Sequence, residues 1–412
     1  MTLLDIGYVR SFFPAFSEPA LAGQAFFENA GGSYTCRPVI DRLSRFYHQR
    51  KVQPYAPYAA SHAAGAEMDE ARSRLAALMG VEEDELSFGP STSANTYVLA
   101  QAVRGWLSRE GGAIVVTNQD HEANSGVWRR LAHEGIEVRE WRIDPETGHL
   151  DPAGLPPLLA DGRVRLVCFP HCSNVVGEIN PVAEICATAR AAGAFTCVDG
   201  VSYAPHGLPD MEALGADIYL FSAYKTYGPH QGILLMRRAL AELLPAQGHW
   251  FNADTLFKRF TPAGPDHAQV AACAGLADYV DALAAHHGAG GAAPLERSRA
   301  VHRLMREHEI RLLRPLLDQL AARNDLRLIG PRTPETRAPT VALVLDRPVA
   351  PVAAALAAHG IMASAGDFYA VRPLEALGID PARGVLRLSF VHYTSEAEVA
   401  QLMLALDAVL GR

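Results

Sequence analysis

The feature that most constrains this chain is an alternation. Between residues 113 and 236, short apolar runs repeatedly give way to longer stretches of helical spacing. The apolar runs are residues 113–117, 164–169, 194–198, 218–221 and 232–236. Residues 181–193 lie between the second and third, with Pro181 at a helix start and Gly193 at its end. This order predicts βαβ units and an α/β fold with a mainly parallel sheet.

After Gly288 the texture changes. A Gly/Ala-rich segment, 288–293, precedes an arginine-studded helix over 295–322, strands at 340–345 and 385–389, and a closing amphipathic helix over 396–410. We expect a smaller C-terminal α+β domain over 288–412, a large domain over 21–287, and an N-terminal segment, 1–20, that packs with the small domain. A chain of 412 residues, 49% of them hydrophobic, is long enough to bury cores of this number. Its net charge of -8 has no basic block behind it, which argues against a nucleic-acid surface. The first residues lack a basic-then-apolar leader, and charges interrupt the alanine-rich stretches, so neither export nor a membrane span is expected and the cytoplasm is the expected location. The six cysteines are scattered, complete no zinc spacing, and read as structural thiols; no metal site is expected.

Only three lysines occur: Lys51, Lys225 and Lys258. Lys225 closes the apolar run 217–225, just before Thr226-Tyr-Gly-Pro229. An amine at a buried strand end is either a nucleophile with a depressed pKa, able to form a Schiff base with pyridoxal 5'-phosphate (PLP), or a side chain that snorkels to water. Asp199 directly follows the run 194–198, either as a carboxylate for a pyridine nitrogen or as a simple Asp-Gly turn. Ser91, Thr92 and Ser93 open a helical pattern, and hydroxyls there either cradle a phosphate or only cap the helix. His121 and Asn174 likewise follow apolar runs. Each can meet a cofactor or substrate, or be an ordinary surface histidine and a turn-forming asparagine. Ligands of open α/β sheets collect beyond the carboxyl ends of the strands, where all of these stand.

Asn29-Ala-Gly-Gly32, Asp120-His-Glu-Ala-Asn124, Ser173-Asn-Val-Val-Gly177, Val198-Asp-Gly200 and Ser222-Ala-Tyr-Lys225 occur in the order found in class V, fold-type I PLP enzymes. The chain resembles the cysteine desulfurase-like branch of that family over nearly its whole length, including residues 366–370 and 387–394. The resemblance implies a large domain with a mainly parallel, seven-stranded type of sheet flanked by helices. It also implies Lys225 as the cofactor lysine, Asp199 at the pyridine nitrogen and His121 stacked on the ring. Ser91, Thr92 and Ser222 are implied near the phosphate, with Ser202 and Tyr224 among the cofactor contacts. Arg387 is implied as the clamp for a substrate α-carboxylate, with Asn174, Asn29, Ala30 and Gly31 beside the substrate. A homodimer follows from the same resemblance, with residues 259–267 facing the partner's site.

Four positions depart from the branch. Tyr369 stands where desulfurases carry the loop cysteine that takes sulfur, and a phenol cannot accept it. Tyr224 replaces a phosphate-binding histidine, Ser202 a glutamine, and Pro265 a threonine that reaches the partner subunit. The expected enzyme therefore acts on a small amino acid through a Cα carbanion, as a β-lyase of the C–S or C–Se type without a persulfide cysteine. Lys225 would be its base and Tyr369 or His121 its acid. The alternative is a class V aminotransferase or an amino-acid epimerase, the latter needing a second acid or base such as Tyr369 or His392. A non-catalytic scaffold would have no use for Lys225, Asp199, His121 and Arg387 together.

Overall fold

The computed structural model describes residues 3–411; Met1, Thr2 and Arg412, the outermost positions of the expected terminal segments, lie outside the described residues. In chain order the strands are β1 Ala25–Phe26, β2 Leu86–Gly89, β3 Ala113–Thr117, β4 Glu137–Trp141, β5 Val164–Pro170, β6 Phe195–Asp199, β7 Ile218–Ser222 and β8 Gly232–Met236. They continue with β9 Leu326–Leu328, β10 Thr340–Leu345, β11 Ile361–Met362, β12 Ser364–Gly366 and β13 Val385–Ser389.

Seven strands form the central sheet in the order β2-β8-β7-β6-β5-β3-β4. Pairings from β4 through β7 are parallel, whereas β8 runs antiparallel to both β7 and β2. The sheet is covered on both faces, which explains why the inner strands read as continuous apolar runs. Side chains nonetheless alternate: Val115, Val167, Val198, Tyr219 and Phe221 join one core, while Ile114, Val116, Leu166, Cys168 and Leu220 join the other. The parallel connection between β5 and β6 is the helix Val182–Ala191 foreseen from its Pro and Gly boundaries.

A second sheet, β12-β13-β10-β9, is antiparallel throughout. Leucines of the long helix Pro294–Ala321 and of the closing helix Glu396–Leu410 bury against it in a third core. β1 pairs with β11, and the chain after it runs on beside β13, with Ser389 N–H donating to Phe27 O at 2.8 Å. The helix Ile6–Ser11 touches two regions: Arg10 pairs with Glu398 at 2.6 Å, and Tyr8 stacks on His286 with ring centroids 3.7 Å apart. All six cysteines are buried and unpaired. Among the described residues, no helix is long and apolar enough to cross a membrane, and no cluster of three or more His, Cys, Asp or Glu could hold a metal ion.

Candidate active site

The carboxyl ends of β3, β5, β6 and β7 converge on one cavity, closed on its far side by the start of the helix Thr92–Glu110. Thr92, Ser93, Asp120, His121, Cys172, Asn174, Asp199, Ser202, Ser222, Tyr224 and Lys225 line it. A wider outer cavity adjoins it and shares Ser93, His121, Tyr224 and Lys225. Its other walls come from Glu28, Ala30, Gly31, Tyr97, Glu122, Arg130, Phe368, Tyr369 and Arg387. Lys225 therefore stands at the junction of two compartments.

Lys225 lies in a short 3-10 turn, Ala223–Lys225, immediately past β7. Its carbonyl accepts a hydrogen bond from the Ser33 hydroxyl at 2.6 Å, which fixes the turn. Burial lowers its pKa to about 8, and the Arg387 charge pushes the same way against the carboxylates of Asp199 and Glu28. Asp199 ends β6 and accepts from Val201 N–H at 2.8 Å. Burial raises its pKa to about 6, opposed by the Val201 bond and Lys225. Next to it, Asp120 is pushed well above the usual carboxylate range by burial and by the Asp199 charge, with one oxygen held by the Asn124 amide at 2.9 Å. Gly200 permits this turn, because a Cβ there would lie 2.0 Å from the Tyr219 ring.

His121 caps the helix Glu122–Arg129, its Nδ1 accepting from Ala123 N–H at 3.1 Å. Burial, Lys225 and Arg387 lower its pKa to about 3. The ring is thus neutral with its proton on Nε2, which makes it a face and a hydrogen-bond donor rather than an imidazolium acid. Across the cavity, Thr92 and Ser222 hydroxyls lie 2.8 Å apart at the helix start. The first amides of a helix have no internal acceptors, so this end is suited to an anion.

Arg387 projects from β13 and is 3% exposed. Its guanidinium lies under the Phe368 ring, 3.7 Å from the centroid. Phe368 and Tyr369 both have φ in the left-handed region, at 54° and 56°. Three contacts hold this loop: the Asn174 amide donates to Phe368 O at 2.9 Å, Tyr369 O accepts from Glu122 N–H at 2.9 Å, and Tyr369 N–H donates to Asp367 at 2.9 Å. The Tyr369 ring is exposed, 5.6 Å from that of His121.

Three expected residues stand elsewhere. Ser91 lines neither cavity, since its hydroxyl caps the helix by accepting from Ala94 N–H at 3.1 Å. Asn29 is buried in backbone and Tyr393 hydrogen bonds, again outside both linings. His392 is enclosed by the hydroxyls of Tyr227 and Tyr279 and has no path to either cavity. Conversely, Asp120, Glu28 and Phe368 form part of the site without having been singled out in the sequence. Asp120 had one visible signal, its place directly before His121.

The residues present fit PLP. The inner cavity offers a buried amine, a carboxylate two strands from His121, hydroxyls at a helix start, and an Asp120 oxygen and an Asn174 oxygen that are buried without partners. A buried lysine, a buried carboxylate and an anion cradle beyond parallel strands define a fold-type I PLP site. Residues 25–402 match the family model for class-V aminotransferases. An aminotransferase-like protein of Gibberella zeae is 32% identical, covering 98% of each chain. A cysteine desulfurase of Pectobacterium carotovorum is 28% identical over 97% of each. In structure, a cysteine desulfurase from Thermococcus onnurineus superposes with a TM-score of 0.84 at 23% identity, covering 100% of this chain and 99% of that one. One from Escherichia coli gives 0.79 at 23% identity, covering 99% of each. The chain belongs to the class-V aminotransferase family and is a PLP-dependent enzyme of its cysteine desulfurase-like branch.

Proposed function

We propose that this enzyme is a β-lyase, which removes a sulfur or selenium substituent from a small amino acid without handing it to a cysteine. One observation carries the reading: Tyr369, not a thiol, occupies the exposed loop at the outer cavity, while every cysteine of the chain is buried. Cys172 does line the inner cavity, but burial raises its pKa to about 12, so it is no thiolate nucleophile.

The proposed division of labour follows the two compartments. Bound PLP supplies the electron sink that makes the Cα proton removable. Asp199 would hold the ring nitrogen protonated, His121 would cover the ring, and Thr92 with Ser222 would hold the phosphate at the helix start. Arg387 takes the α-carboxylate, since its guanidinium fork matches two oxygens. The Lys225 amine then removes the Cα proton, and the Tyr369 hydroxyl gives a proton to the departing sulfur. With cysteine, the balanced outcome is cysteine and water giving sulfide, pyruvate and ammonia.

A second reading, transamination or epimerisation, rests on the aminotransferase-like relative from Gibberella zeae. For epimerisation Tyr369 is the remaining second acid, because His392 has no access. PLP-loaded protein mixed with a panel of amino acids separates these. Sulfide with pyruvate supports elimination; a keto acid with pyridoxamine phosphate supports transamination; loss of optical rotation alone supports epimerisation. Lys225→Ala should abolish the visible absorption of bound PLP, and a wild type that shows none after loading would sink every enzymatic reading.

The expected division of the chain belongs to the same proposal, with 21–287 holding the cofactor, 288–412 supplying Arg387, and 1–20 bridging the two through Tyr8 and Arg10. We also propose a homodimer. Trp250 and Phe251 are 88% and 66% exposed, next to a groove lined by Tyr55, Phe257, Pro265 and His267. Exposed aromatic surface of this kind favours a second copy as partner. Sedimentation showing only monomer in the PLP-loaded protein would refute it.

A further inference from the structure

The clamp arginine already has a carboxylate beside it. Arg387 Nη2 donates to Glu28 Oε1 at 2.6 Å, while Nη1 reaches the Asn174 carbonyl oxygen at 3.4 Å. The strand register enforces this neighbour, because Glu28 bridges to Ser389, two residues beyond Arg387 on β13. Gly31 leaves room for it, since a Cβ there would stand 2.8 Å from Glu28 Oε1.

The pair is incomplete. Glu28 Oε2 and Arg387 Nε are both buried and without hydrogen-bond partners, although both side chains line the outer cavity. Unpaired buried polar atoms are costly, and a ligand that supplies an acceptor to Nε and a donor to Oε2 satisfies both. The charges set a second condition. Arg387 and Glu28 together are neutral, so a plain carboxylate makes the site a net anion and stands against Glu28. A zwitterion adds no net charge and brings its own N–H donor. We propose that Glu28 is a specificity-determining residue that forms, with Arg387, a two-pole receptor for zwitterionic amino acids and turns away carboxylates that lack an ammonium group. The inference rests on the assignment of Arg387 as the carboxylate clamp.

Two isosteric probes test it without reacting at the cofactor. N,N-dimethylglycine and 3-methylbutanoate share shape and carboxylate, but one carries N–H⁺ where the other has C–H. Calorimetric titration of the PLP-loaded enzyme should show dimethylglycine bound about tenfold more tightly, the scale of a charge-assisted hydrogen bond. In Glu28→Gln the preference should fall to within about twofold, with methylbutanoate tightening. Equal binding of the two probes to the wild type overturns the inference without recourse to any variant. So does an unchanged preference in a Glu28→Gln protein that keeps its PLP absorption. Arg387→Lys separates the underlying assignment: if it leaves both affinities unmoved, the clamp itself is wrong. If it weakens both while Glu28→Gln changes nothing, only the role of Glu28 falls.

Discussion

An amine attacks a carbonyl only when uncharged, and Lys225 is held near that state by burial and by the Arg387 charge, against Asp199 and Glu28. Below about pH 8 the neutral fraction grows about tenfold per pH unit, and above it the fraction levels. In protein stripped of cofactor, the rate at which visible absorption returns on adding PLP should therefore climb to about pH 8 and then flatten. The neighbours give this prediction opposite signs to check. Arg387→Ala removes a charge that lowers the lysine pKa and should move the inflection up, whereas Asp199→Asn removes one that raises it and should move the inflection down. A curve that neither substitution shifts would dissociate the amine from both groups. Lys225, Asp199, His121 and Thr92 were legible in the sequence because each directly follows or opens an element boundary. Glu28 was not, since its meaning depends on a partner 359 positions away. Asp120 was hidden for a related reason, because its raised pKa comes from burial and from Asp199 on another strand.

The helix start that completes the inner cavity is seated by a contact between elements. At the first residue of β8, Gly232 lies so close to the helix Thr92–Glu110 that a Cβ would stand 2.4 Å from the Ser91 carbonyl carbon and 2.7 Å from Thr92 N. Gly232→Ala must push the helix start away from the sheet, because neither neighbour is a flexible side chain. We expect a loss of about 1–3 kcal/mol in stability by denaturant titration, as for other overpacked sites, together with weaker PLP retention on dialysis. Unaltered retention in a variant of that lowered stability would show that the helix start contributes nothing to the cofactor site. The same scale explains which strands could be read from sequence. β3, β5, β6, β7 and β8 are buried on both faces and stand out as apolar runs. β4 is an edge strand, Glu137-Val-Arg-Glu-Trp141, whose Arg139 pairs with Glu137 and Asp161 in place of an apolar partner. β2 has four residues, Leu86–Gly89, directly after an acidic turn, too short to show a period. Neither was foreseen, so the antiparallel β2-β8 edge of the central sheet was also unread.

Across the whole molecule, burial keeps a set of histidines neutral. The pKa values of His121, His171 and His392 fall to about 3 and that of His302 to about 4, in each case chiefly because burial penalises the charged ring. Unfolding returns each to its ordinary value of 6.5. The stability tied to these groups is complete above 6.5 and is lost as pH falls, because the unfolded chain then takes up protons that the folded chain refuses. Each histidine contributes a slope of about 1.4 kcal/mol per pH unit within that window. Asp199 and Asp120 act in the opposite direction, since their raised values let the folded chain keep protons that the unfolded chain has released. The buried histidines outnumber these two carboxylates, which leaves a net loss of stability on acidification between about pH 7.5 and 5.5 in urea titrations of the PLP-free protein. His171 is the sharpest probe, being fully buried with Nδ1 2.9 Å from the Tyr219 hydroxyl and its ring stacked on Tyr203. His171→Asn should be less stable near neutral pH, where its packing and hydrogen bond are lost, and should flatten the acid limb by the slope of about one proton, so that the deficit narrows as pH falls. A stability that held level or rose toward pH 5.5 would mean that the buried carboxylates, and not the histidines, govern how this fold responds to acid.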